Sequence, residues 1–431
     1  MGSVVILGGG AAGLAAAIGA AQHGAQVTLV ERSPRPGKKL LATGNGRCNL
    51  DNRDSSNPAR YFTSDPAALK RLLAAIDRED LPGWWEALGL WTRCDETGRI
   101  YPYSNQAADL TGLLLCRAEQ LGVQSRTGWQ LETLAQGRGG YTLRLRSAEG
   151  EQQTLRAASV ICALGGSAGP QFGTDGFGPD FAARCGARVE PLYPCLTPLQ
   201  CTGVPREQLR KLAGLRAKGE AVLLEGGRPL ARESGEIQFT DYGLSGICIM
   251  QLSGLLAPGR GPKHPAVALD LFPQWEEAAL AEAFARRARQ LPGQSPADFW
   301  LGLADARLGA ALWSAAGLPE APAASLPAQS WQALARCAKG WVFEKVSPCG
   351  WKQAQTTGGG LALGELEEDF QLKGCPELYF VGETLDCAGS CGGFNLHWAF
   401  GSGLAAGRAA AANGRAPRRE EPRPGKPRRK K

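Results

Sequence analysis

The sequence predicts an α/β protein: a Rossmann-like nucleotide-binding domain interrupted by a long insertion, β-rich first and helical after. Three observations predict it. Gly8-Gly9-Gly10-Ala11-Ala12-Gly13 stands between a short apolar run and an Ala-rich stretch of helical texture. Near residue 190 the texture changes to short alternating segments, then to Ala, Leu, Arg and Trp at helical spacing. The Gly-rich α/β texture returns at about residue 341.

Each element follows from local pattern. Ser3 to Leu7 (SVVIL) is short, β-branched and bounded by glycine, which predicts a buried strand. Ala11 to His23 reads as a helix ended by Gly24, and Gln26 to Glu31 as a second strand, completing a βαβ unit. Pro34 to Asn52 reads as a polar, Gly-rich loop, residues 66–90 as helical, and Gly98 to Tyr103 as a turn and strand. Ala107 to Leu121 predicts an amphipathic helix, followed by a strand pair around 123–134 and 141–146. Ser159 to Ala163 is a further buried strand. Leu192 to Leu269 predicts an antiparallel β unit, and residues 275–338 a helical insert with Trp275, Trp300, Trp313 and Trp331 in its core. Glu377 to Val381 is a last strand and Gly393 to Ala412 a last helix. The expected units are therefore 1–190, a β-rich insert 191–270, a helical insert 271–340, a return to the first domain at 341–412, and a tail 413–431.

The chain has 431 residues, enough for two or three domains, and a formal charge of +7. From Arg415 to Lys431 nine basic residues face only Glu420 and Glu421, so the tail carries the whole excess. The body is close to neutral, which argues against a nucleic-acid surface there. The tail's prolines and lack of large apolar residues predict disorder, with a solubilising role favoured over a polyanion-binding arm. Thirteen cysteines lack metal-type knuckles, so no metal site is expected, and many lie in apolar runs as small buried hydrophobes. A reducing compartment, the cytoplasm, fits best. No signal peptide and no apolar span of membrane length is visible.

The Gly-x-Gly-x-x-Gly string is weak alone, but here it follows a strand, opens a helix and is trailed by Glu31 eighteen residues after Gly13. Gly8 permits the tight turn and Gly10 lets backbone approach a pyrophosphate. Gly13 lets helix and strand pack, and the helix N-terminus faces the phosphate charge. Glu31 can accept from ribose hydroxyls. The C-terminal return favours FAD over NAD: Gly382-Glu383 places a carboxylate at a strand end, as where a ribityl chain is held. Gly392-Gly393-Phe394-Asn395 then opens a helix whose amides can face the flavin edge that becomes negative on reduction.

These residues resemble the BaiN/RdsA family of flavoproteins, which includes aminoacetone-oxidase-like members. The resemblance rests on Leu40 to Asn49 (LLATGNGRCN), Gly235 to Thr240 with Tyr242 to Gly246, Thr357 to Gly360, Gly382 to Asp386 and Gly392 to Phe400, in order from residue 3 to about 412. It implies a two-dinucleotide-type FAD-binding domain interrupted by a β-barrel-like domain with a helical subdomain. It implies FAD contacts at Gly8, Gly10, Ala11, Ala12 and Gly13, at Glu31 and Arg32, and at Lys39, Thr43, Gly44, Gly46 and Arg47. Further contacts are implied at Gly382, Glu383, Asp386, Gly393, Phe394 and Asn395, with a backbone contact to adenine near Leu131. The chain departs from the family at His397, where Gln is usual, and at Cys387 and Cys391, where thiols are not.

No catalytic residue is assigned. His23 reads as a helix C-terminal group, His264 as a surface residue and His397 as a packed, hydrogen-bonded histidine rather than a proton relay. Cys387 and Cys391 read as small loop residues rather than a redox pair, and Cys48 as structural. Arg47 can neutralise a pyrophosphate or position an anionic substrate. Only one dinucleotide turn has the right context, so an NAD(P)H donor is expected to bind transiently in the substrate cleft. The expected function is an FAD-dependent oxidoreductase acting on a small organic substrate. The alternatives are a flavoprotein that binds or modifies RNA, through the basic tail, and a flavin redox sensor without turnover.

Overall fold

The computed structural model describes residues 2–290 and 295–413. The expected tail thus lies outside the described residues from 414 onward. Strand β1 (Ser3–Leu7) feeds helix α1 (Ala11–Gln22) and returns as β2 (Gln26–Glu31). Helix α2 (Lys38–Ala42) and two short strands, β3 (Asp51–Asn52) and β4 (Arg99–Pro102), follow. Next come β5 (Gln124–Thr127), β6 (Trp129–Gly137) and β7 (Ser159–Cys162). Far along the chain β8 (Leu378–Phe380) and helix α3 (Phe394–Asn413) complete the unit.

The central sheet has the order β8-β7-β1-β2-β5 and is parallel throughout. Strands β1, β7 and β8 are apolar runs because both faces are covered, β7 being buried at all four positions, whereas the edge strand β5 (QSRT) is polar and mostly exposed. Helix α1 packs on α3 through small residues. A Cβ on Gly403 would come within 2.2 Å of the Ala12 carbonyl oxygen, so glycine there sets how closely the helices approach.

Three local readings are revised. The segment 34–52 is no simple loop: it holds α2, a short turn at Thr43–Gly46 and β3. Gly44 and Asn45 both adopt left-handed backbone angles in that turn. The strand pair after 122 is one strand of the parallel sheet, β5, plus a separate three-stranded antiparallel sheet of β6, 140–147 and 152–157.

The insertion holds a seven-stranded antiparallel sheet. Its two edge strands, Trp341–Phe343 and Val346–Pro348, are joined by only Glu344 and Lys345. The sheet must curl until its edges meet, which is the barrel-like form. These two strands, expected in the returning segment, therefore pair with the insertion. Helices Glu277–Gln290, Ala306–Ala315 and Ala328–Lys339 cover one side, with Phe284, Phe299, Trp300, Trp313 and Trp331 forming an aromatic core. Gly309 is required there, since a Cβ would fall 2.1 Å from the Trp300 ring. Trp275, expected in that core, is instead exposed at its margin. Strand 189–195 pairs with 356–361 where the chain passes between the two units.

Candidate cofactor and active site

One long cavity of about 740 Å³ begins at the Gly-rich turn and runs between the nucleotide unit and the insertion. Its first end is formed by Glu31, Arg32 and the β6 residues Trp129, Gln130 and Leu131. The turn itself lies beside this end, and each glycine has a separate task. Gly8 has φ +99°, and a Cβ on it would lie 2.2 Å from the Ala163 carbonyl oxygen. A Cβ on Gly13 would lie 1.8 Å from the Gly8 oxygen, so Gly13 packs helix on strand without lining the cavity. A Cβ on Gly10 would meet nothing within 4 Å, because that position opens into the cavity.

The site is built for an anion at this point. Helix α1 begins at Gly10 with no side-chain cap and no acidic residue in its first turn. Its first amides thus keep unspent hydrogen-bonding capacity and the positive end of the helix dipole. Glu31 accepts the Gly9 amide at 2.7 Å and the Ser33 amide at 2.7 Å. It therefore fixes the turn as well as facing the cavity. The uncapped helix start and the open position at Gly10 leave room and donors for a dinucleotide pyrophosphate.

The middle of the cavity is walled by α2 and the turn after it. Lys39 donates to Glu383 at 2.6 Å and to the Ala168 carbonyl at 3.0 Å. The other Glu383 oxygen accepts from the Thr357 amide and hydroxyl. Arg32 is likewise spent on Asp175. Thr43, Gly44 and Arg47 line the wall. Arg47 stacks its guanidinium over the Tyr101 ring, 5.6 Å from the centroid.

The far end is lined by Gly392, Gly393, Asn395 and Leu396 from the start of α3, by Cys387, Ser390 and Cys391 before it, and by Asn49, Arg99 and Tyr101. Leu196, Ile247 and residues 352–356 close it from the insertion side. Asn395 exchanges two 2.8 Å bonds with the Gly389 backbone, so its amide shapes the loop. Both cysteines are free thiols, and burial raises the Cys391 thiol to about 12 and pushes Cys387 well above the usual range. They are held as S–H groups at neutral pH, the form of a structural thiol. Cys48 behaves alike, raised by burial to about 12.

Among the residues singled out from sequence, Gly46, Gly382, Asp386 and Phe394 lie off the cavity wall along with Gly13. Asp386 is fully buried and accepts from the Ser64 amide at 2.8 Å and from its hydroxyl. Gly382 gives its carbonyl to the Trp398 indole, tying β8 to α3. His397 also faces away, toward Asp51. Sequence reasoning missed Arg99, Tyr101 and the 352–356 wall. The signal for the first two was present, since residues two apart on a strand share a face.

A parallel dinucleotide fold and a cavity that leads from its phosphate cradle into a cleft define the class, an FAD-dependent oxidoreductase. The chain belongs to the family described as HI0933-like protein Rossmann domain, whose model matches residues 2–409. This bears out the resemblance seen in the sequence motifs. It is 35% identical to a 3-dehydro-bile acid delta(4,6)-reductase of Clostridium scindens, covering 95% of this chain and 99% of that protein. It is 28% identical to a ribosomal RNA dihydrouridine synthase of Escherichia coli, covering 93% and 96%. In fold it is similar to a 3-ketosteroid-delta4-(5alpha)-dehydrogenase from Rhodococcus jostii, with a TM-score of 0.50, 16% identity and coverage of 95% and 96%. No helix among the described residues is long and apolar enough to cross a membrane.

Proposed function

We propose that the protein reduces a carbon–carbon double bond conjugated to a carbonyl in a small organic molecule, using NAD(P)H as a transient donor. The observation that carries this reading is one cavity whose lining includes both the glycine turn and residues of the insertion. Its far end combines apolar walls, Leu196, Ile247 and Leu396, with a few polar donors, the composition of a small-molecule site. Both curated relatives named above carry activities in which a double bond beside a carbonyl becomes saturated. Bound FAD supplies two-electron transfer between donor and substrate. The chain's own residues hold the dinucleotide at Gly8 to Ala12 and Glu31, and position the middle of the cofactor along Lys39, Thr43, Gly44 and Arg47. They exclude water with the insertion wall.

A second dinucleotide turn is not found among the described residues, so NAD(P)H shares the cleft and leaves before the substrate enters. The small-molecule reading is preferred to an RNA substrate because the chain's charge excess lies in the tail and the body is neutral. Thirteen free thiols suit the reducing environment of the cytoplasm. The test is anaerobic reduction by NADH and NADPH, followed by reoxidation with cyclic enones and, separately, with their saturated ketones. Reoxidation by the enones alone supports the reading. Equal indifference to both, with rapid reoxidation by oxygen or quinones, refutes it.

A further inference from the structure

We propose that Arg99 and Tyr101, on one face of strand β4, form an oxyanion-binding platform for the substrate carbonyl. This rests on the reaction proposed above and assigns residues to it. The two side chains are two positions apart, so the pleat sends both to the same side, and both line the far end of the cavity.

Each is a side-chain donor on the cavity wall with no protein acceptor among the described residues. Five tyrosines are buried: Tyr61, Tyr101, Tyr141, Tyr193 and Tyr379. Four give their hydroxyls to protein acceptors: Tyr61 to the Ser55 carbonyl, Tyr141 to the Pro376 carbonyl, Tyr193 to the Gly254 carbonyl and Tyr379 to Glu377. The Tyr101 hydroxyl has no such acceptor among the described residues, although the residue is only 8% exposed. Its hydroxyl opens onto the cavity and is free to donate to a bound molecule. Of the cavity cations, Lys39 is paired with Glu383 and Arg32 with Asp175, while Lys38, Arg47, Lys352 and the half-buried Arg99 have no ion pair among the described residues; of these four, Arg99 is the one that shares a strand face with Tyr101. The Arg99 Nε lies 3.5 Å from where a Cβ on Gly392 would stand, which places it at the mouth of α3. Arg47, over the Tyr101 ring, adds positive charge and holds the ring in place.

Reduction of an enone adds a hydride to the β carbon and a proton to the α carbon. The two electrons originate from NAD(P)H. As the β carbon gains the hydride, the π electrons shift and the carbonyl oxygen takes the negative charge. Arg99 and Tyr101 donate to that oxygen. The enolate then collapses, its electron pair taking a proton from water at the α carbon. Donors aimed at a developing oxyanion are worth about 100- to 1,000-fold each in rate.

The experiment uses the holoenzyme with cyclohexenone as substrate and 4-nitrophenol as a planar oxyanion probe, read by the absorbance of its bound phenolate. Arg99→Gln is expected to lower kcat/KM at least about 100-fold and to weaken nitrophenolate binding at least about tenfold. Tyr101→Phe is expected to lower kcat/KM about 100-fold while removing a single hydroxyl. FAD occupancy and the rate of flavin reduction by NAD(P)H are expected to stay unchanged in both. If both variants reduce cyclohexenone as the native protein does, or if flavin reduction falls as much as enone reduction, the platform is overturned. If the native protein reduces no enone but binds nitrophenolate in an Arg99-dependent way, the platform stands and the proposed reaction falls.

Discussion

His397 Nδ1 lies 2.9 Å from an oxygen of Asp51, and both side chains are buried. The pair joins the first turn of α3 to β3. Asn52 adds a bond to the Gly392 carbonyl, and β3 pairs with β4, the strand of Arg99 and Tyr101. His397 therefore acts as a structural peg behind the cavity wall. His397→Gln keeps one hydrogen-bonding group at that point. It is expected to retain FAD and change turnover less than about tenfold, since a general acid–base role is worth about 100-fold or more. Asp51→Ala, by contrast, strands the imidazole and is expected to cost about 1–3 kcal/mol, measured by urea unfolding.

The glycine turn separates binding from folding. Gly10→Val projects into open cavity, so the melting temperature of the apoprotein is expected to hold while FAD uptake is lost. Gly13→Val drives a side chain into the Gly8 carbonyl, a 1.8 Å approach, and is expected to destabilise the apoprotein itself. Thermal melts of both variants with and without added FAD check the contrast. Full flavin occupancy in Gly10→Val would show that the phosphate lies elsewhere.

Alkaline pH is expected to loosen the fold. Burial raises Cys48, Cys201 and Cys391 to about 12, and Cys185, Cys248, Cys337 and Cys349 to about 11, above the ordinary thiol value of 9.0. In that window the unfolded chain has lost thiol protons that the folded chain keeps. The folded state binds more protons, so stability falls as pH rises from about 9 toward 12, and is full below about 9. Melting temperatures at pH 8 and pH 10 test the sign, with a Cys48→Ser variant to show how much one thiol contributes.

Truncation after Asn413 is expected to leave the flavin spectrum and turnover unchanged. The tail sequence offers no apolar anchor with which to dock on the catalytic unit. Loss of activity in the truncated protein would show that the basic segment serves the reaction.

The Rossmann frame was legible because its signals are local: apolar runs for strands, glycine at the turn, an Ala-rich helix. Ser3–Leu7 and Gln26–Glu31 fell where expected. The segment 34–52 was not, since α2 is five residues long and the rest is a left-handed Gly-Asn turn without periodicity. Strand 152–157 escaped because its alternation is mostly polar. At the site, the Gly-rich turn and the helix that opens after it were readable from spacing. The partners of Glu383 and Asn395 were not, because Lys39, Thr357 and Gly389 meet them only through tertiary packing or a loop closure. Arg99 and Tyr101 were visible as a strand, but which face met the cavity depended on a sheet whose pairing with residues 51–52 the sequence does not announce.

The central sheet closes late in synthesis. Strand β8 completes it beside β7, where the Ser159 hydroxyl meets Glu377 across 218 residues. All seven strands of the insertion lie within 199–348 and are paired among themselves. On the ribosome the insertion can therefore finish folding while the nucleotide unit still lacks an edge strand and α3. Closing so long a loop costs little more entropy than a shorter one, since the penalty grows only logarithmically. A prefolded insertion shortens the effective loop further. Until β8 arrives, β7 is an unpaired apolar sheet edge, the kind of edge that invites association with other chains while the insertion is being synthesised.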